Sequence, residues 1–180
     1  VEISGEKIHF SFVGKKGIHH TISIRNKRLA RIVKQCRDIP GKTLFQYYDQ
    51  AGNRHALDSG KVNSYIQKHT GDSFTTKDLR TWSGSVCALH HFLNSEPADN
   101  ETARKKRTVE VLDLVSEQLG NTRTVCKKYY VHPQILALYE NAQLEDHTKS
   151  IPRADTWLSP EEKLLLKILK KTTTSKTKQG

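Results

Sequence analysis

Three short segments of the chain hold residues whose types could act on a phosphoryl group. Lys15 lies in a Gly-Lys-Lys-Gly turn, and Arg80 follows a Thr-Thr-Lys-Asp sequence typical of a helix start. Backbone N–H groups at a helix start and a guanidinium can hold phosphate oxygens together. Tyr130 follows two lysines and a second tyrosine. A phenol becomes a useful nucleophile where cations favour its ionised form.

Each segment also has an ordinary structural interpretation. Two lysines between glycines are typical of a solvated hairpin tip. Arg80 could form a surface ion pair, and a tyrosine such as Tyr130 is more often a half-buried core residue with a paired hydroxyl. Taken singly, the three segments therefore leave the function open.

Composition narrows the class of partner. The formal net charge of +11 favours a polyanion, because neutralising phosphates releases condensed counterions. DNA-binding, RNA-binding and ribosomal proteins all fit this charge. No run approaches the roughly 20 apolar residues of a membrane helix, and three widely spaced cysteines offer no disulfide framework. We expect a cytoplasmic protein without membrane contact.

The histidines do not suggest a metal centre. Nine are present, but His19-His20 and His90-His91 are adjacent pairs, and neither Cys-x-x-Cys nor His-Glu-x-x-His occurs. A glycine-rich phosphate loop is also absent. We predict no metal and no nucleotide cofactor.

The N-terminal third predicts a small sheet and two helices. Alternation over residues 7–13 and 18–24 predicts a β-hairpin, and residues 44–48 are a candidate third strand. Helical spacing over 29–36 and 62–69 predicts helices, the second with a cap at Asp58-Ser59.

The remainder predicts helices. A capping box at Thr75 opens a helix through Leu93 with Arg80 in its first turn, and residues 95–104 form a polar loop. A helix closed by Gly120 precedes a short one capped by Asn121-Thr122. Pro133 starts another, Lys163 to Lys171 form a basic amphipathic helix, and we expect disorder from Thr172 to Gly180. We predict one core in a domain over residues 1–160, followed by residues 161–180 as a basic helix and tail.

In this order, the segments resemble the active-site motifs of type IB DNA topoisomerases of the poxvirus-like and bacterial branch. The most specific stretch is a Gly-Asn-Thr turn followed nine residues later by Tyr130. Tyr129 is the rival nucleophile, but only Tyr130 directly precedes the Val-His-Pro that the family pattern expects. Asn121 stands where viral enzymes have histidine, which places the chain nearer the bacterial branch.

The resemblance implies a mainly α (α+β) catalytic fold shared with tyrosine recombinases, with an N-terminal β-hairpin or three-stranded sheet. It also implies relaxation of supercoiled double-stranded DNA through a 3′-phosphotyrosyl link, without ATP or metal. Tyr130 would attack, Arg80 and Asn121 would hold the phosphoryl oxygens, and Lys15 would protonate the 5′ leaving oxygen. We expect further DNA contacts from Lys77, Lys127 and Lys128. We also expect a monomer located at a bacterial nucleoid.

Three alternatives remain. A tyrosine recombinase would share the fold and chemistry, but recombinases carry histidine where this chain has Lys77. A degenerate, non-catalytic DNA-binding module would use the same basic surface. An RNA-binding protein is disfavoured because no aromatic strand motif or Gly-x-x-Gly clamp occurs.

One motif of the family does not occur before Lys15: an Arg-x-Gly-Asn-type segment that holds the first catalytic arginine. The sequence lacks methionine, so we expect further catalytic groups upstream of Val1. We therefore expect residues 1–180 alone to bind duplex DNA weakly and relax it poorly.

Overall fold

In this computed structural model, the described residues are 1–14, 17, 19–148 and 157–177, without the side chains of 172–177. They form two compact units, Val1–Ser73 and Phe74–Gly180. Each unit has its own hydrophobic cluster. This differs from the expected single core.

The predicted hairpin of the first unit is confirmed and gains a third strand. Strand β1 (Glu2–Ser4) pairs with β2 (Lys7–Val13), and β2 pairs with β3 (His19–Arg25), all antiparallel. Ile8 lies opposite a residue of each outer strand and is 1% exposed. Its burial fixes the register, since a one-residue slip would turn this side chain towards solvent.

Helix α1 (Lys27–Arg37) covers this sheet. Asn26 caps it by accepting a hydrogen bond from the Leu29 N–H at 2.9 Å. Ala30 and Val33 are buried in one cluster with Ile8. The helix is therefore held by a narrow apolar stripe, and its remaining surface is open.

Residues 44–48 do not extend the three-stranded sheet. Strand β4 (Gln46–Tyr48) pairs instead with β5 (Arg54–Ala56) in a separate hairpin. The Asp49 carboxylate closes the turn by accepting bonds from Ala51 and Asn53 N–H. Its hydrogen bond to His55 is the main reason that the pKa of Asp49 falls to about 2. Helix α2 (Ser59–Thr70) follows, capped by Asp58 and ended by Gly71 in the left-handed conformation, as predicted.

The second unit is helical. Its elements are α3 (Thr76–Leu93), α4 (Glu101–Leu119), α5 (Arg123–Val125), a π-helical turn (Cys126–Tyr130), α6 (Pro133–Glu140), α7 (Leu144–Thr148) and α8 (Pro160–Thr177). Helix α4 begins at Glu101 behind an Asn100 cap, so the prediction of a loop through residue 104 was wrong at its end. Asn100 lies within a run of polar residues, so the sequence did not single it out as a cap.

Helix α8 belongs to the core of the second unit. Leu164, Leu165 and Ile168 are almost fully buried with residues of α3, α4 and α6. The amphipathic helix predicted over 163–171 is confirmed. It also extends to Thr177, where the sequence favoured disorder from Thr172; residues 178–180 lie outside the described part. None of the described helices is long and apolar enough to cross a membrane.

Removing a buried side chain from α8 should destabilise the protein. For Leu165→Ala we expect the free energy of unfolding to fall by about 2–5 kcal/mol, because Leu165 is 1% exposed and its loss leaves a cavity. The matched control is Leu114→Ala, because Leu114 is 45% exposed on α4 and should cost about 0.5 kcal/mol or less. Urea unfolding measures both changes. Equal effects would mean that α8 is a loosely attached end.

Candidate active site

Helix α3 positions Arg80 through a capping box. Thr75 N–H and the Thr75 hydroxyl both donate to the Asp78 carboxylate, at 2.8 Å and 2.6 Å. These bonds, the side-chain one first, lower the pKa of Asp78. Arg80 is the fifth residue of the helix, so it begins the second turn rather than lying in the first as predicted.

The segment that carries Tyr130 contains an unusual turn. Thr122 caps α5, as predicted, by accepting a bond from Val125 N–H. The chain then widens into a π-helical turn, closed by the bond from Val131 N–H to the Cys126 carbonyl at 2.9 Å. Such turns are rare and frequently lie at functional sites.

Gly84 of α3 allows the backbone of Tyr130 to come very close. A Cβ placed on Gly84 would lie 2.4 Å from the Tyr130 carbonyl oxygen and 3.1 Å from Leu119 Cδ1. Real Cβ atoms do not approach a backbone oxygen so closely. Glycine is therefore required here, although inside a helix it costs about 1 kcal/mol relative to alanine.

Two neighbours of Gly84 hold the same segment by hydrogen bonds. The Thr81 hydroxyl donates to the Tyr129 carbonyl at 3.0 Å, and the Ser85 hydroxyl accepts from His132 N–H at 3.0 Å. Thr81, Gly84 and Ser85 stand at helical spacing on one face of α3. We call these three residues the α3 track. It fixes the backbone on both sides of Tyr130.

Arg80 and Asn121 meet at the end of α4. The Arg80 guanidinium donates to the Leu119 carbonyl at 2.5 Å, and the Asn121 amide donates to the same oxygen at 3.0 Å. This oxygen belongs to the last turn of a helix, where carbonyls lack helical partners and favour cations. Of the predicted Asn121-Thr122 pair, Thr122 is therefore the cap, whereas the Asn121 side chain bonds to Leu119.

The Arg80 guanidinium also faces the ring of Tyr130. Its central carbon lies 5.0 Å from the ring centroid, within cation–π range. Tyr130 is partly buried, whereas Arg80 is exposed. Arg80, predicted from one motif, is thus brought together with Asn121 and Tyr130, predicted from another.

Two of the predicted DNA-contacting lysines surround the other tyrosine. Lys77 and Lys128 place their ammonium groups 5.5 Å and 5.1 Å from the Tyr129 ring centroid. Lys127 lies with Lys128 along an open groove bordered by α4 and α5. Tyr129 is 46% exposed, so its ring and both lysines are accessible.

Lys15 lies outside the described residues, so its place relative to Tyr130 stays a prediction. The strands that lead to its turn are present as expected. Within the described ranges, no group of three or more His, Cys, Asp or Glu side chains could hold a metal ion.

Helix α8 braces α3 next to the track. The Trp82 indole donates to the Glu162 carboxylate at 3.0 Å, and this bond is the main reason that the pKa of Glu162 is lowered. Behind the π-helical turn, the Cys126 side chain is fully buried, and burial raises the pKa of its thiol. Cys126 thus joins the turn to the hydrophobic cluster of the second unit.

Sequence reasoning missed the α3 track. Thr81 follows Arg80 in its motif but has no role assigned there, and Ser85 and Glu162 lie outside the motifs. Gly84 did give a signal, because a glycine in the interior of an 18-residue helix is unfavourable unless another group approaches closely.

Comparisons with known proteins identify the family of this chain. The family model described as "Eukaryotic DNA topoisomerase I, catalytic core" matches residues 1–157. The chain belongs to the type IB DNA topoisomerase catalytic-core family. Among curated relatives, the DNA topoisomerase 1B of Acanthamoeba polyphaga mimivirus is 32% identical over 148 residues, which is 78% of this chain and 44% of that protein.

Family membership confirms the predicted resemblance and fold class. The chain spans less than half of the length of the mimivirus relative. This relative is viral and the family model is described as eukaryotic, so the bacterial placement based on Asn121 stays a prediction.

A methyl group at Gly84 should impair the site while leaving the protein folded. In Gly84→Ala the Tyr130 carbonyl must move, and a displacement of about 1 Å at a reacting group can cost about 10²-fold in rate. We expect single-turnover cleavage of a DNA suicide substrate to slow by about this factor, with little change in DNA affinity. Ser83→Ala is the matched control, since Ser83 is exposed on the same helix. Wild-type cleavage by Gly84→Ala would refute the role of the track.

Proposed function

We propose that the chain is the strand-cleaving and resealing part of an enzyme that relaxes supercoiled double-stranded DNA. Tyr130 would be the nucleophile, and the link would be a 3′-phosphotyrosyl ester. The observation that carries this proposal is the position of the Arg80 guanidinium, 5.0 Å from the Tyr130 ring centroid and bonded to the carbonyl that also holds Asn121.

The arrangement suits attack on a phosphodiester. The reaction needs an aligned nucleophile and donors directed at the non-bridging oxygens. The α3 track fixes the backbone of Tyr130, while Arg80 donates a single hydrogen bond within the described residues, to Leu119. An arginine has five N–H donors in a planar fork, so most of them are available for a phosphate.

Cleavage and resealing each form one bond to phosphorus and break one. The Tyr130 oxygen forms a bond to phosphorus, the bond from phosphorus to the 5′ oxygen breaks, the phenol gives its proton to water, and the 5′ oxygen gains one. We assign that second proton to Lys15. Since the new ester preserves the phosphodiester, the 5′ hydroxyl can attack it and reseal the strand. No ATP is then needed.

The cations around Tyr129 fit a DNA backbone. Lys77, Lys127 and Lys128 are exposed on the same unit as Tyr130. Lysines at phosphates position a duplex without reading its sequence. We propose that these three lysines hold the DNA that is cleaved, and that Tyr129 has no role in forming the ester.

Removing the Tyr130 hydroxyl should abolish covalent attachment. We expect no adduct from Tyr130→Phe on a suicide substrate, because the attacking oxygen is absent. The control is Tyr129→Phe, which should form the adduct at close to the wild-type rate. Denaturing gels of labelled DNA give the result. An adduct with Tyr130→Phe would refute the assignment, and loss from both variants would indicate a shared structural defect.

Lys15→Ala should slow cleavage by about 10²–10⁴-fold, the usual range for general acid catalysis. A substrate with sulfur in place of the 5′ bridging oxygen should restore most of the rate, because a thiolate leaves without protonation. The neighbouring Lys16→Ala is the control and should need no rescue. If sulfur fails to rescue Lys15→Ala, then Lys15 is only a phosphate contact.

A further inference from the structure

Helix α1 in the first unit is unusually basic. Over its 11 residues it has five cations and no carboxylate. Lys27, Arg31 and Lys34 follow at i, i+4 and i+7, so they form one stripe along the helix. With Arg28 they line an open groove of about 500 Å³ beside the turn at Gly5.

These four cations lack a compensating charge within the described part of the chain. None of them has an ion-pair partner among the described residues, whereas other cations nearby do. Arg25 pairs with Glu6 at 3.7 Å, and Arg37 pairs with Asp38 at 3.7 Å. All four are exposed, while the apolar side of the helix is buried at Ala30 and Val33. The groove therefore presents four uncompensated positive charges.

For two of the four cations, the position along the helix is unfavourable. Lys27 and Arg28 are the first two residues of α1, and its first turn contains no acidic residue. The start of a helix carries partial positive charge, which favours acidic and disfavours basic side chains there. The partial positive charge that disfavours Lys27 and Arg28 would attract an anion. The repulsion is relieved when phosphates bind.

We infer that the groove along α1 is a second binding surface for the phosphate backbone of duplex DNA. This inference rests on the proposed function, and the residues of the groove differ from those assigned around Tyr130. The stripe from Lys27 to Lys34 is about 10 Å long at the helical rise of 1.5 Å per residue. One DNA strand presents about one phosphate per 3.4 Å of axis, so the stripe matches about three phosphates.

The test measures how DNA affinity depends on salt. Each phosphate neutralised contributes about 0.9 to the slope of log affinity against log salt concentration. We expect Arg31→Gln with Lys34→Gln to reduce this slope by about 1.8. The matched control is Lys42→Gln with Lys68→Gln, which removes equal charge from exposed, unpaired sites of the same unit and should leave the slope unchanged. Both pairs are made in the full protein with Tyr130→Phe, so that binding is measured without cleavage.

Three results would overturn the inference. They are an unchanged slope in the α1 double variant, an equal fall in the slope of the control double variant, or a loss of affinity for RNA while the affinity for duplex DNA is unchanged. The swap Arg31→Lys with Lys34→Arg keeps the charge and should keep the slope, which separates a charge effect from misfolding. Because binding is read without covalent chemistry, the inference can fail while Tyr130 remains the nucleophile, and the reverse also holds.

Discussion

The site depends on the close approach of the Tyr130 backbone to Gly84. The missing side chain of Gly84 leaves room for a carbonyl oxygen that any Cβ would displace. Packed backbones cannot be shifted without a cost in energy. The contact therefore sets the distance between α3 and the segment that carries Tyr130. Thr81 and Ser85 then fix its position along the helix through two hydrogen bonds.

Other features of the second unit follow from this contact. The π-helical turn ends at Tyr130, and its closing bond joins Cys126 to Val131. Arg80 is on the same helix as Gly84, about one turn earlier. Its guanidinium therefore contacts the ring of Tyr130, whose backbone packs against Gly84. Helix α3 would therefore supply both the proposed phosphate-binding group and the support for the proposed nucleophile. The bond between Trp82 and Glu162 also joins α3 to α8, whose buried side chains lie in the same core.

The sequence predicted those parts of the structure that depend on local patterns. Alternation gave the hairpin, capping residues gave the starts of α2 and α3, and Gly120 gave the end of α4. It could not give the partner of β4, because strand pairing is decided by tertiary contacts. Arg80, Asn121 and Tyr130 were found through their motifs. The meeting of Arg80 and Asn121 at the Leu119 carbonyl, and of Arg80 with the Tyr130 ring, depends on helix packing. The α3 track was missed because the only sign of a close backbone approach in the sequence is a glycine.

The account is tested most directly by locating the covalent bond to DNA. The wild-type protein would be trapped on a suicide substrate and digested with nuclease and trypsin, and the peptide that keeps a nucleotide remnant would be fragmented in a mass spectrometer. Tyr129 and Tyr130 follow Lys128 in one tryptic peptide, so fragment ions must separate the two adjacent residues. The account predicts that the remnant is on Tyr130. A remnant on Tyr129, whose ring faces the ammonium groups of Lys77 and Lys128, would contradict it.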